Sequence, residues 1–256
     1  MKTIRGGRGL GDALYVQGVV RHLVRLGQRL AVRSDWPDVF RPHGDRVEII
    51  QFSRKADITA HYTMRKGVAG TTQFEDCCIS AGIREPVELK LDWTPTNPRL
   101  IDSLGPKPIL VVQVPRLPMG RTDGFGAELL PRCEVIQSVI DKAKQSHRIV
   151  QVGAGEALFK FTGIDLDLVN ETSVAELLDV ASVADRFLGY CSYLVPLAES
   201  FGKHALFVWS RKGLNARHLY VRQITPQKVL RASSSFVVDD CTDSEIGDAS
   251  DAFLRK

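Results

Sequence analysis

The sequence predicts an α/β protein made of parallel strands and crossover helices. Short apolar segments of strand length alternate with amphipathic helical segments in two separate series. Each series contains a glycine-rich turn directly after a strand, at residues 6–11 and 153–155. Proline-rich segments between residues 93 and 108 separate the two series, as a connection between domains would. We therefore expect two Rossmann-like domains that face each other across a cleft, formed by residues 1–105 and 106–256.

The first series begins with a very short strand that ends at the glycine-rich turn. The helix expected at 12–27 carries Leu14, Val19 and Leu23 along one face, and Gly27 is typical of a helix C-terminus. The remaining segments are predicted as strands at 28–33, 47–52, 56–62 and 87–91, a short helix or turn at 38–42, and a helix at 72–82. This order is typical of a parallel, doubly wound sheet.

The second series begins with residues 109–114, whose continuous apolar run is typical of a strand buried on both faces. Ser173 and Glu176 have the spacing of a capping box at the start of a helix. The predicted strands lie at 109–114, 148–152, 166–169, 186–190 and 204–209, and the helices at 134–145, 173–184 and 194–201. A terminal helical segment and an acidic tail are expected after residue 209, with Asp239 and Asp240 at the surface.

The glycine-rich turn at residues 6–11 is a candidate anion site, because glycines let a ligand approach the backbone and a helix N-terminus presents unpaired N–H groups. It is not a P-loop, since Gly11 is followed by Asp12 and not by Lys-Ser or Lys-Thr. Asp12 also stands where a dinucleotide fingerprint needs its third glycine. From the local pattern alone, Asp12 is either a helix cap or a functional carboxylate.

The long loop after residue 114 is a second candidate site. Open α/β sheets bind ligands at the carboxyl ends of their strands, and this loop carries Arg116 and Arg121 there. Two guanidinium groups can bind a diphosphate through forked hydrogen bonds. Lys160 follows the second glycine turn and is a weaker candidate, because most surface lysines are simply solvated.

Charge and composition restrict the possible partners. The net charge is only +4, but residues 1–66 hold thirteen Lys and Arg against six Asp and Glu, which indicates an anionic partner for this half. Five cysteines without a C-x-x-C spacing suggest a reduced, cytoplasmic protein without structural zinc. The sequence has no apolar run of the roughly 20 residues that a membrane-spanning helix needs.

Three segments together resemble the ADP-heptose–lipopolysaccharide heptosyltransferases, which have the GT-B fold. The opening Gly9-Leu10-Gly11-Asp12-Ala13-Leu14 resembles their G-D-x-L turn, and residues 172–177 resemble the start of a helix in that family. Residues 187–203 resemble the second family signature, a strand, Asp-Thr-Gly and a helix ending in Gly-Lys. Here Cys191-Ser192-Tyr193 replaces Asp-Thr-Gly and Pro196 replaces a histidine, so an altered donor pocket is expected.

The resemblance implies a metal-independent, inverting glycosyltransferase without a cofactor, in which a nucleotide sugar is the donor and the carboxylate at position 12 is the general base. It also implies that cations and free N–H groups stabilise the departing diphosphate. The donor-binding candidates are Gly9, Gly11, Arg116, Arg121, Lys160, Ser192, Tyr193, Leu194 and Glu199, and the acceptor-side candidates are Arg8 and Arg33.

Several alternatives stay open at this point. The acceptor fits either a phosphorylated glycan or a modified base in DNA, the latter as in a compact phage-type enzyme. An NADP-dependent reductase would use the glycine turn, with Arg33 against a 2′-phosphate. A GT-B-like binding protein without catalytic activity is the third alternative.

Overall fold

The computed structural model describes residues 1–51, 55–62, 72–116, 127–217, 224–231 and 233–255. Two parallel sheets form the frame, as the sequence predicts. The four-stranded sheet has the order β3-β2-β1-β4, with β1 at Lys2–Arg5, β2 at Leu30–Arg33, β3 at Val47–Ile50 and β4 at Ile58–Thr59. The six-stranded sheet has the order β10-β9-β8-β5-β6-β7, with β5 at Ile109–Gln113, β6 at Arg148–Val152, β7 at Leu166–Asp167, β8 at Arg186–Tyr190, β9 at His204–Trp209 and β10 at Ser234–Val238.

Helices and short 3₁₀ segments cover and connect these sheets. The helices are α1 (Leu10–Arg25), α2 (Gln73–Ser80), α3 (Pro98–Ser103), α4 (Cys133–Ala143), α5 (Val174–Val183), α6 (Leu194–Ser200), α7 (Arg211–Leu214), α8 (Pro226–Val229) and α9 (Asp243–Arg255). The 3₁₀ segments are Pro37–Arg46 and Ala127–Leu129. No helix among the described residues is long and apolar enough to cross a membrane.

Helix α1 lies at the centre of the molecule, which explains why it is buried on almost all sides. It packs against α2 and the 3₁₀ segment Pro37–Arg46 of the first half and also against α6 of the second half. One apolar core joins the two halves and includes Ile4 and Val32 from one sheet and Phe187 and Phe207 from the other. The N-terminus of α1 is thereby held at the junction of the domains.

The segment between the domains is fastened to the second half by Asp179 of α5. This fully buried carboxylate accepts hydrogen bonds from the Trp93 indole N–H (2.7 Å), from the N–H and hydroxyl of Thr96 (2.9 and 3.0 Å), and from the Asn97 N–H (2.7 Å). Helix α3 then packs against α5. The first sheet uses residues 2–59 and the second 109–238, and a boundary at residue 105 stays a prediction.

Two sequence predictions are wrong in their secondary structure. Residues 87–91 form no strand, because the Leu91 N–H donates to the Ser200 carbonyl (2.9 Å) and the Lys90 carbonyl accepts from the Gln17 side chain (3.0 Å). After residue 209, the chain forms a further strand, β10, which pairs with β9, and its acidic end folds into α9.

The prediction of a surface position is also wrong for Asp239, which is buried. Its carboxylate accepts hydrogen bonds from the backbone N–H groups of Arg132 (3.0 Å) and Arg211 (2.8 Å), and so it ties three segments together. Asp240 lies at the surface, as expected, and pairs with the Arg211 guanidinium (2.7 Å).

Candidate active site

Two cavities lie side by side in the cleft between the two halves. The smaller, of about 220 Å³, is lined by Asp12 together with residues from both domains. The larger, of about 480 Å³, is lined by the glycine turn, by Arg116 and by the start of α5. Gly11 and Tyr193 line both cavities and therefore mark the place where they meet.

Asp12 occupies the third position of α1 and not the N-cap, because the helix starts two residues earlier than predicted, with Gly9 as its N-cap. The Gly9 N–H donates to Asp12 Oδ2 (3.0 Å). A side chain at Gly7 would collide with this carboxylate, since its Cβ would lie 2.4 Å from Asp12 Oδ2. The glycine turn therefore folds around the carboxylate, which both caps the helix and faces the smaller cavity.

The environment of Asp12 makes it a better base than an exposed aspartate. Burial raises its pKa, and hydrogen bonds from the Gly9 N–H and the Tyr62 side chain oppose part of that rise. A general base works best when its pKa lies closer to the working pH, so a raised value strengthens its ability to take a proton. Asp12 thus combines access to a cavity with a raised pKa.

The rest of the smaller cavity is rich in tyrosine and in polar side chains. Tyr15 and Tyr62 meet edge to face, with ring centroids 6.1 Å apart, and Tyr193 approaches from the second domain. Ser192 also lines this cavity, and its hydroxyl donates to the side-chain carbonyl of the buried Gln113. Such a set can hold a ring through its faces and its hydroxyl groups.

Two arginines, Arg116 and Arg121, are predicted to bind the diphosphate, and the structure describes Arg116, which lines the larger cavity. The Arg116 backbone N–H donates to the Tyr190 hydroxyl oxygen (3.3 Å), and its guanidinium donates to the Ala154 carbonyl. The residue is thereby held at the carboxyl ends of β5, β6 and β8, where ligands bind in open α/β sheets. The second arginine, Arg121, lies outside the described residues.

The two domains touch at Gly11, between the cavities. A Cβ there would lie 3.3 Å from Tyr193 Cα and 3.4 Å from Pro196 Cγ, which is closer than ordinary packing. Gly11 therefore serves the close approach of α1 to the start of α6, in addition to lining both cavities.

Three other candidates, Leu194, Glu199 and Lys160, are not among the described residues that line either cavity. The Leu194 N–H is not free, because it donates to Ser192 Oγ (3.2 Å). Glu199 is buried within α6, and its carboxylate makes no hydrogen bond of good geometry among the described residues. Burial raises the pKa of Glu199 to about 8, and nearby Arg231 opposes only part of this. Lys160 is exposed in the loop after β6.

The two acceptor-side arginines also differ in their surroundings. The Arg8 guanidinium pairs with Asp35 (2.8 Å), and most of its side chain is exposed at the rim of the glycine turn. Arg33 ends β2 and is absent from the described residues that line either cavity.

Sequence reasoning did not identify Trp36, Gln113 or the tyrosines as site residues. Trp36 lines the larger cavity, and Gln113 accepts a hydrogen bond from Ser192, which lines the smaller one. Trp36 follows β2, and Gln113 is the last residue of β5. Ligands generally bind at the carboxyl ends of strands, and this rule is the sequence signal that points to both residues. Tyr15 and Tyr62 become neighbours only through folding.

Neither a protein-family model nor a curated protein matches this sequence. Solved structures do resemble it. E. coli ADP-heptose lps heptosyltransferase II has a TM-score of 0.61 at 12% identity, over 100% of this chain and 99% of that chain. The glycosyl transferase family 9 protein from Veillonella parvula has a TM-score of 0.61 at 11% identity, over 98% and 89%.

E. coli heptosyltransferase WaaC, solved with ADP-2-deoxy-2-fluoro heptose, has a TM-score of 0.59 at 11% identity, over 100% of this chain and 99% of that chain. Such low identities establish the fold alone. The two facing parallel sheets and these likenesses together show that the chain has the GT-B fold found in heptosyltransferases.

Proposed function

We propose that this protein transfers a sugar from a nucleoside diphosphate sugar to an acceptor hydroxyl, with Asp12 as the general base. The observation that carries the proposal is the position of the Asp12 carboxylate in the cleft, in a cavity that adjoins a larger one. The larger cavity has room for a donor, and the smaller one adjoins it where the acceptor hydroxyl must approach. The fold shared with glycosyltransferases supports the same reaction class.

The reaction requires one bond to form while another breaks. The acceptor oxygen attacks the anomeric carbon as Asp12 takes its proton, and the bond from that carbon to the diphosphate oxygen breaks. Negative charge develops on the diphosphate, and Arg116 is suited to stabilise it. Arg121, Lys160 and the N–H groups of Ser192 and Tyr193 have the same role. A single displacement inverts the anomeric centre, and no metal takes part.

We propose an anionic acceptor, either a phosphorylated glycan or DNA that carries a hydroxylated base, as in a phage-type enzyme. The excess of Lys and Arg in residues 1–66 supports an anionic partner. Affinity for DNA should fall steeply between 50 and 200 mM salt, because binding releases counterions. A flat salt dependence with DNA would favour the glycan. Five free cysteines support a reducing compartment such as the cytoplasm.

The reductase alternative has less support, because the Asp12 carboxylate already occupies the glycine turn. It accepts the Gly9 N–H that a pyrophosphate would use, and its charge would repel that group.

Thermal unfolding with a panel of ligands tests the proposed donor class. The panel contains ADP, GDP, UDP and CDP sugars and NADPH, and ADP-linked sugars come first because WaaC was solved with one. A ligand that binds only the folded state stabilises that state by about 2.7 kcal/mol when its concentration is about 100 times its Kd. We expect a rise in Tm with one nucleotide sugar and none with NADPH. A rise with NADPH alone would contradict the proposal.

A further inference from the structure

The larger cavity has an apolar wall formed by both domains. Val174 and Leu177 of α5 contribute from the second domain, and Leu10 and Trp36 contribute from the first. A wall of this kind suits a flat, weakly polar ring, since apolar contact is favourable and aromatic side chains stack on ring faces.

Trp36 is held in place by its neighbours. Its indole N–H donates to the Arg8 carbonyl (2.7 Å), and its backbone N–H donates to Ser34 Oγ (3.0 Å). The ion pair of Arg8 with Asp35 further joins this loop to the glycine turn. The one polar atom of the indole is thus satisfied within the protein, and the ring needs no polar partner from a ligand.

The same cavity also contains a cation. Arg116 lines it, beside Gly153 and Tyr193, and its guanidinium donates to the carbonyl of Ala154, which lines the same cavity. A cavity of about 480 Å³ with an apolar aromatic wall and one fixed positive charge matches a ligand that joins a flat ring to an anionic group. A nucleoside diphosphate has this chemistry.

We infer that Trp36 stacks on the nucleobase of the donor. This inference rests on the proposed function, and it makes the first domain part of the donor site. Donor binding then links the two domains, because the base contacts Trp36 while the diphosphate contacts Arg116 in the second domain.

Calorimetric titration of the full chain with ADP, GDP, UDP and CDP, and with inorganic pyrophosphate, tests the inference. Stacking of a base on an aromatic side chain predicts that Trp36→Ala weakens binding of the preferred nucleoside diphosphate about tenfold or more. Trp36→Phe should retain most of the affinity, and pyrophosphate binding should be unchanged in both variants. Phe236→Ala, which removes an exposed ring outside the described cavity lining, is the control.

The outcomes separate the inference from the proposed function. If none of the four diphosphates binds the wild type, both fail. If one binds the wild type and Trp36→Ala with equal affinity, only the inference on Trp36 fails. Equal weakening of pyrophosphate and nucleotide in Trp36→Ala would also overturn it, because this would show a general change in the cleft and no contact with the base.

Discussion

The buried carboxylate of Asp179 should be one of the most important side chains for stability. It accepts four hydrogen bonds from residues 93–97, and its replacement by Ala leaves four donors without this partner. Each buried donor left unpaired costs about 1–3 kcal/mol. The two donors of Thr96 can reach solvent because that residue is exposed, whereas Trp93 and Asn97 are half-buried, so we expect a net loss of about 3–5 kcal/mol, as for other broken buried networks.

Thermal unfolding measures this loss. At roughly 2–4 °C per kcal/mol for a chain of this size, the Tm of Asp179→Ala should fall by about 10 °C. Asp179→Asn keeps one carbonyl acceptor and should lose about half as much. Asp141→Ala, which removes an exposed ion pair with Lys144 from the same domain, should shift the Tm by about 2 °C or less. A Tm for Asp179→Ala within 2 °C of the wild type would refute the reasoning.

Three further predictions follow from single contacts. Gly11→Val should lower the free energy of unfolding by about 1–3 kcal/mol in urea titrations, since its side chain forces the domains apart. The control Gly247→Ala in α9 should raise the free energy of unfolding by about 0.5–1 kcal/mol. Equal effects of the two substitutions would contradict this prediction. Glu199 has a pKa raised from 4.5 to about 8, so between these values the folded state holds a proton that the unfolded state releases, and the contribution of Glu199 to stability should decline from about pH 4.5 to pH 8, against the opposite trend from His43, whose pKa is lowered to about 4. Glu199→Gln should remove that decline in urea titrations across this pH range, and an unchanged decline would count against it. Arg116→Ala should weaken binding of the preferred nucleoside diphosphate about tenfold or more, as measured by calorimetry. Arg41→Ala removes an arginine that does not line the larger cavity and should leave this binding unchanged. Comparable losses of affinity in both variants would indicate a nonspecific charge effect.

Much of the strand arrangement of the two sheets could be predicted, because buried parallel strands are short, continuous runs of apolar residues. The strands at 148–152, 186–190 and 204–209 have the predicted bounds, since each is apolar and lies inside the sheet. The sequence does not predict strand β10, because its serines are typical of a loop and its pairing with β9 is what makes it a strand. Residues 87–91 alternate as a strand does, but their backbone groups find partners in α1 and α6.

The site was predictable only in part. Asp12 stands out beside the glycine turn, but the local pattern fits a helix cap equally well, and only the fold shows that the residue also lines a cavity. The rule on strand carboxyl ends draws attention to Trp36 and Gln113 but does not select them among other strand-end residues, since that selection depends on which loops meet across the cleft. Glu199 was a donor-binding candidate, but its burial could not be predicted, because it comes from the packing of α6 against the first domain and not from its own helix.

The most direct test of the central claim compares Asp12→Asn with the wild type in two measurements on the same preparation. Asparagine is isosteric and can still accept the Gly9 N–H, so the turn and the donor affinity should be unchanged. Turnover of the nucleotide sugar identified by the ligand panel should fall by about 10²–10⁴-fold, because the amide cannot take the proton. Wild-type turnover in Asp12→Asn, with unchanged donor affinity, would show that another group is the base or that the carboxylate serves the helix alone.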